Sequence, residues 1–554
     1  MLSVVVIWLY MLITCYLTGF GCLRIISGSG KPRWERGTDY LYAGIGAVTV
    51  YAQLFSIFWK VGLLANLVLV LLCILCAVFW RKELLGSFHA IRLSATLPGA
   101  AVILALFLLF AYGTSTGLIH YDSGLYHGQS IRWVEEYGVV PGLGNLHSRL
   151  AYNSAAFCLS ALYSMAFLGG QSFHCCAGFL AFLLALACRE AFGKGRVRRP
   201  RLSDFARIMG IYYLLTVFDE MVSPASDYFM VLLVFYIVIR WLGLIEAKED
   251  SWVPYALLCL LGVVTVTVKL SGALILLLAF KPAAMLAREK RIGEILKYLG
   301  LGAGALLPFL IRNVILSGWL VYPFTAIDLF SFDFKIPKGV ADYDAREIQV
   351  WGRGLRDVGR YEEPIRSWLP GWIKGLDSTS QLFLAMALGG MVLYLGFVIY
   401  ALIKRRKDMG DWLHVQGTLL ACFCFWLLSA PLLRYGCVFL WLAPVLVWGY
   451  GYLGISPRLD RFRVYTAVLV LLGAYKLTAF GIEVGKSAQG GQLLWQKDYD
   501  SFETIAYELH GYTFYYPAQG DRTGYRDFPA SPVKAEDIFR GETIKEGFKD
   551  VIHQ

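Results

Sequence analysis

The sequence predicts an all-α, polytopic bundle of transmembrane helices, about 13–15 of them, with an amphipathic first outer loop and a small C-terminal cap. Three observations lead there. Of 554 residues, 57% are apolar and only 16% charged, whereas a soluble domain carries about 25% charged residues. Apolar runs of about 17–25 residues recur, the length a helix needs to cross the hydrocarbon core. The basic residues sit in short loops between the runs, so the net charge of +11 reads as a positive-inside bias and not as a nucleic-acid surface. A soluble protein would show amphipathic stripes instead. An outer-membrane barrel would show short alternating segments, which the sequence lacks.

Spans are expected near 2–23, 40–59, 61–80, 94–112, 172–192, 207–219, 228–245, 253–268, 270–287, 298–316, 380–403, 412–430, 435–452 and 464–481. The first run has no basic residue ahead of it, and Arg24 follows it, which argues for a spanning helix over a cleaved signal peptide. Basic clusters follow at Arg24/Lys31/Arg33/Arg36, Arg81/Lys82/Arg92, Lys194/Arg196/Arg198/Arg199/Arg201, Arg288/Lys290/Arg291/Lys297, Lys404/Arg405/Arg406/Lys407 and Arg458/Arg461/Arg463. All share one side only if 152–169 does not cross. That segment, with Asn153, Ser154, Ser160 and Ser164, is therefore read as a re-entrant or interfacial helix buried in protein. The count becomes 14 spans with both termini outside. The chain divides into N-terminal membrane helices (1–112), an outer loop with interfacial or re-entrant helices (113–171), a membrane core with a second outer loop at 317–379 (172–481), and a non-cytoplasmic tail (482–554). The 12 cysteines lie in or beside apolar runs, so no disulfide framework is expected, and Cys73-x-x-Cys76 reads as packing.

Four polar regions share the outer side: 113–151, 219–227, 317–379 and 482–554. The first carries His120-Tyr121-Asp122-Ser123-Gly124-Leu125-Tyr126-His127, then a short helix near 123–137, then Asn145-Leu146-His147-Ser148-Arg149. Asp122 is the carboxylate nearest a helix end. Partial desolvation there would raise its pKa and suit a general base. Asp219-Glu220, Ser223-Pro224 and Asp227 mark a helix start, where Asp227 favours the dipole; the same carboxylates are a cation or sugar-hydroxyl candidate. Lys269, Arg312 and Arg434 each sit at an outer helix end, in separate parts of the chain. A basic residue beside the hydrocarbon costs a few kcal/mol unless it snorkels or pairs, and together the three are read as a cationic pocket suited to phosphate.

These motifs, in this order, resemble the GT-C superfamily of membrane glycosyltransferases, and more closely a poorly characterised bacterial multi-span group related to it. The resemblance rests on Asp122 with Tyr126-His127, Asn145-Leu146-His147-x-Arg149-Leu150, Ser223-Pro224-x-x-Asp227 and Lys269-Leu270-Ser271. It continues through Pro308-x-x-x-Arg312-Asn313 with Gly318 and Tyr322-Pro323, and Pro431-x-x-Arg434-Tyr435, so that it covers roughly 110–440. The tail at Tyr515-Tyr516-Pro517, Gly520-Asp521, Arg540-Gly541 and Gly547-Phe548 is similar to that group as well. In one respect the chain departs from the pattern: Ser123 follows Asp122, where the family often has an acidic pair.

The resemblance implies transfer of a sugar, with inversion, from a polyprenyl-phosphate donor to an acceptor hydroxyl on a glycan, lipid or protein, at the outer face of a bacterial inner membrane. Asp122 would be the base and Lys269, Arg312 and Arg434 the donor-phosphate ligands. Tyr126, His127, Asn145, His147, Arg149, Asn153, Asp227 and Asn313 would shape the sugar or acceptor site. No cofactor is expected; if a divalent cation is used, Asp122, Asp219, Glu220 and Asp227 are its ligands. The partners are the lipid-linked donor, the acceptor and membrane lipids, with no nucleic acid. The alternatives are a transporter or flippase for a lipid-linked glycan or anionic solute, a glycan polymerase, and a non-catalytic assembly protein. Rim charges and the lack of an internal repeat weigh against transport.

Overall fold

The structure is a computed structural model that describes residues 1–27, 37–94, 96–192, 200–455, 492–536 and 538–550, with positions 474, 478, 481 and 482 between them. Its helices are α1 (Leu2–Ser27), α2 (Gly37–Phe58), α3 (Leu63–Phe79), α4 (Arg81–Ser94), α5 (Leu97–Ser115), α6 (Gly128–Glu136), α7 (Ala155–Tyr163), α8 (Cys176–Cys188) and α9 (Leu202–Thr216). Then come α10 (Ser226–Glu246), α11 (Trp252–Val268), a 3-10 stretch Leu270–Ala279 running into α12 (Phe280–Arg288), and α13 (Ile292–Ser317). The rest are α14 (Lys338–Gly352), α15 (Ile365–Gly375), α16 (Ser378–Ile403), α17 (Gly410–Ser429) and α18 (Leu433–Ile455).

Among the described residues nine elements are long and apolar enough to cross a membrane: α1, α2, α5, α10, Leu270 through α12, α13, α16, α17 and α18. The chain is an integral, multi-pass helical membrane protein. The count differs from fourteen for physical reasons. The run 61–80 is α3, which meets α4 at an 87° bend, so the basic residues after it lie on a second helix turned across the first. The runs at 172–192, 207–219 and 253–268 fold as α8, α9 and α11, of 13, 15 and 17 residues, below the ~20 of a typical span. The run at 464–481 falls almost wholly outside the described residues. Segment 152–169 holds α7, nine residues long and buried at every one of them. At 1.5 Å per residue it covers roughly half the hydrocarbon thickness.

The bundle is assembled around α10, of which 18 of 21 residues are buried. Helices α1 and α2 pack backbone to backbone. A Cβ on Gly19 would stand 1.9 Å from the Tyr40 carbonyl oxygen, and one on Gly44 would stand 1.7 Å from that of Cys15. Small residues are what lets membrane helices approach this closely, since lipid supplies no hydrophobic drive between them. Where α2 crosses α10, Asp39 takes Arg240 in a two-pronged pair (2.9 and 3.0 Å), and the Tyr236 hydroxyl donates to the same carboxylate at 2.6 Å.

One end of the bundle, hereafter the cap end, carries the first loop, α14, α15 and the tail. The tail holds an antiparallel hairpin, β1 (Thr504–Leu509) and β2 (Tyr512–Pro517), the one sheet in an otherwise helical chain among the described residues. Its two-residue turn, His510-Gly511, has φ of 50° and 74°, the left-handed pair a tight hairpin needs. The first loop and the tail, separate in the sequence reading, share one core. Trp133, Val140, Leu143, Leu146 and Leu150 pack with Phe514, Ile538, Phe539, Ile544 and Phe548. Backbone bonds seal it: Thr523 and Gly524 donate to the Gly124 carbonyl (3.1 and 2.8 Å), and Phe548 donates to that of Pro141 (2.9 Å). Residues 493–494 also accept from Leu2 and Ser3 at 3.0 Å.

Candidate functional site

Local structure explains why charged side chains meet at the cap end. After α5 the chain makes a π-turn, Ser123–His127, before entering α6; such turns recur at functional sites. It follows directly on Asp122. The Ser223 hydroxyl accepts from the His120 backbone N–H (2.7 Å) and donates to the Leu118 carbonyl (3.3 Å), fixing the loop against the start of α10. Asp227 lies in the first turn of α10. Lys269 is the tip of the hairpin between α11 and the 3-10 stretch, with extended backbone (φ −156°, ψ 127°). Arg434 sits in the first turn of α18, whose helical geometry breaks at Gly436. A Cβ on that glycine would stand 2.5 Å from the Trp426 ring, so the break and the close approach come together.

The result is a chain of alternating charge. Arg434 Nη2 donates to Asp122 Oδ2 at 2.7 Å, and its Nε lies 3.7 Å from Asp227 Oδ2. Asp227 Oδ1 in turn takes the Lys269 ammonium, which stands 3.9 Å from the centre of the Tyr435 ring. The guanidinium also lies against the ring of His120. Asp122 keeps Oδ1 clear of Arg434, whereas both oxygens of Asp227 face a cation. Lys269 is thus paired; it does not merely snorkel.

Beside this network lies a cavity of about 510 Å³. Its polar wall includes Tyr126, Asn153, Lys269, Ser271 and Asn313; its apolar wall includes Val266, Phe309, Phe425 and Trp426, from α11, α13 and α17. The three expected phosphate cations do not line it equally. Lys269 does. Arg434 is taken up by two carboxylates, and Arg312 stands behind the wall, only 4% exposed. Arg312 donates to Asn153 Oδ1 at 3.0 Å and to the Ser56 hydroxyl; among the described residues no carboxylate pairs with it. Asn153 passes the contact on through Nδ2 to the Phe309 carbonyl (2.9 Å).

The ionisation of Asp122 is the reverse of the sequence expectation. Burial pushes its carboxyl up, but nearby positive charge, chiefly the Arg434 guanidinium, outweighs burial and holds it below its ordinary value. Burial keeps His127 neutral, its pKa pulled down to about 3, and lowers His120 as well. His127 packs on Tyr126 and Phe157 with ring centres at 4.4 and 5.3 Å, so it backs the cavity wall.

Other expected residues hold the cap together. Asn145 donates to the Phe334 and Phe548 carbonyls at 2.8 and 3.4 Å, joining first loop, second loop and tail. Arg149 pairs with Glu347 of α14 at 3.6 Å. His147 is pulled down to about 4 by burial. Asn313 lines the cavity and donates to the Leu320 carbonyl at 3.1 Å. Of the four possible metal ligands, Asp122 and Asp227 share Arg434, Glu220 takes the Tyr228 hydroxyl, and the Asp219 carbonyl accepts from Leu118. Among the described residues no three His, Cys, Asp or Glu converge as ligands. Sequence reasoning missed α14. Asp342, Ala345, Ile348 and Gln349 line the cavity from it; their i, i+3, i+6, i+7 spacing was a detectable helical face.

Fold and site together define a multi-pass helical membrane protein with a paired-charge site at one end of its bundle. The chain belongs to the family described as Domain of unknown function (DUF8201), whose model matches residues 1–441. No curated protein and no solved structure matches it.

Proposed function

We propose that this protein is a membrane glycosyltransferase of GT-C type, which moves a sugar from a polyprenyl-phosphate donor to an acceptor hydroxyl with inversion, at the non-cytoplasmic face of a bacterial inner membrane. One observation carries the reading: the charge chain Asp122–Arg434–Asp227–Lys269 ends on a cavity that also has an apolar wall built from membrane helices. That combination suits an amphiphile with a phosphate at its polar end. The lipid lies against Phe309 and Phe425, and the phosphate meets Lys269. Arg312, a buried cation that no carboxylate pairs among the described residues, adds positive potential through Asn153.

In the reaction, the acceptor oxygen attacks the anomeric carbon and the carbon–oxygen bond to phosphate breaks. The acceptor proton passes to Asp122, whose Oδ1 is clear of Arg434. The polyprenyl phosphate leaves with its charge held by Lys269, which is stabilisation of charge where it develops. Arg434 and Asp227 position the other two groups. The test is transfer by purified protein from a panel of lipid-linked sugars, wild type against Asp122→Asn. The variant is expected to lose at least about a hundredfold in rate, the scale of a general base. Equal rates would sink the base assignment, and binding without turnover across the panel would favour transport.

A further inference from the structure

The cavity has a second polar wall, remote in sequence from the charge chain. On α14, Asp342 and Gln349 face it, and Thr325 and Tyr322 face it from the preceding loop. The Thr325 hydroxyl donates to Asp342 Oδ1. Asp342 makes no ion pair among the described residues. Gln349 Oε1 accepts from Arg353 at 3.3 Å, which leaves its amide N–H₂ as the end free to donate. The wall therefore offers a carboxylate acceptor, an amide donor and a hydroxyl, beside the rings of Tyr152 and Tyr322.

This wall is held from behind. The Tyr152 hydroxyl donates to Asp344 at 2.7 Å, and Arg149 reaches Glu347 at 3.6 Å. Both contacts tie α14 to the turn that precedes α7, so Asp342 is presented by an anchored helix.

Carboxylate, amide and hydroxyl next to aromatic faces form a set that recognises the hydroxyls and the ring face of a sugar. The carboxylate also sets a sign. Like charges brought together across a binding surface cost several kcal/mol, so a sugar carrying its own carboxylate is disfavoured at Asp342. We infer that α14 reads the sugar of the ligand and that Asp342 makes the site selective for uncharged over acidic sugars. This rests on the glycosyl-donor reading, with the phosphate at Lys269.

The experiment is equilibrium binding to the full chain in nanodiscs, using farnesyl phosphate, farnesyl-phosphoglucose and farnesyl-phosphoglucuronic acid. Wild type is expected to bind the glucose compound roughly tenfold or more tighter than the glucuronic acid compound. Asp342→Asn, which keeps an acceptor for Thr325, is expected to bring the two within about twofold, with farnesyl phosphate binding and melting temperature unchanged. Lys269→Ala is expected to weaken all three. Equal affinity of wild type for the two sugar compounds overturns the inference alone, and so does a preference that survives Asp342→Asn. Failure of wild type to bind any of the three, farnesyl phosphate included, overturns the donor reading as well.

Discussion

At the scale of the residue, the site is governed by Arg434. It holds Asp122 ionised against burial, so the acid limb of a pH–rate profile set by Asp122 belongs below the ordinary carboxylate value of 3.8. Replacing Arg434 with Gln leaves burial as the dominant influence, and the limb is expected to move upward, read directly from kcat/KM against pH. Glu135 shows the opposite sign. Burial raises it from 4.5 to about 7, although the hydroxyls of Ser172 and Tyr525 donate to it. The folded state then binds the proton more tightly than the unfolded state. Stability from this group is full below pH 4.5 and is lost as pH rises to about 7. Glu135→Gln should flatten that part of a melting-temperature profile. Asp39→Ala strands Arg240 within the bundle and is expected to cost about 3–5 kcal/mol, measured as a lowered unfolding midpoint in detergent. Lys269, Arg434 and Asp122 were legible in sequence because charges at helix ends are conspicuous against apolar runs. Their pairing was not: Arg434 lies 312 positions from Asp122. The expected rise in the Asp122 pKa failed for that reason.

At the scale of the element, close approach decides what can change. Gly44→Ala places a Cβ inside the Cys15 carbonyl contact, so α1 and α2 must separate. The expected cost is about 1–3 kcal/mol, seen in the thermal midpoint. Gly86, exposed on α4 with nothing within 4 Å of its Cβ position, serves as the control and should tolerate Ala. Apolar periodicity located the long helices well, because a run of Leu and Val with no charge has few alternatives in lipid. It overstated α8 and α9, whose apolar residues face protein as well as lipid; α8 is buried along almost all of its length. Composition alone does not separate those two solvents. Nor did it show α14, because that helix holds no long apolar run; its signal lay in the spacing of Asp342, Ala345, Ile348 and Gln349 instead.

At the scale of the whole molecule, the candidate residues gather at one end of the bundle. The sidedness of that end is open to a direct test. Single cysteines at Glu289 and Tyr343, both exposed, should label from opposite faces of sealed vesicles. The native cysteines are buried or partly buried and give a low background. Labelling from one face would overturn the orientation in which the site faces outward.

The cap adds a constraint of timing. Tyr121 bonds to Asp521, and the turn beside Asp122 is closed by Thr523 and Gly524. The two segments are separated by 400 positions, which a ribosome working at about 5–20 residues per second covers in roughly 20–80 s. Through that interval Trp133, Leu143 and Leu146 have been synthesised but lack the tail side chains that cover them. The site is thus among the last parts of the protein to be completed, and a nascent chain stalled before residue 492 would hold its membrane helices without a finished place for chemistry.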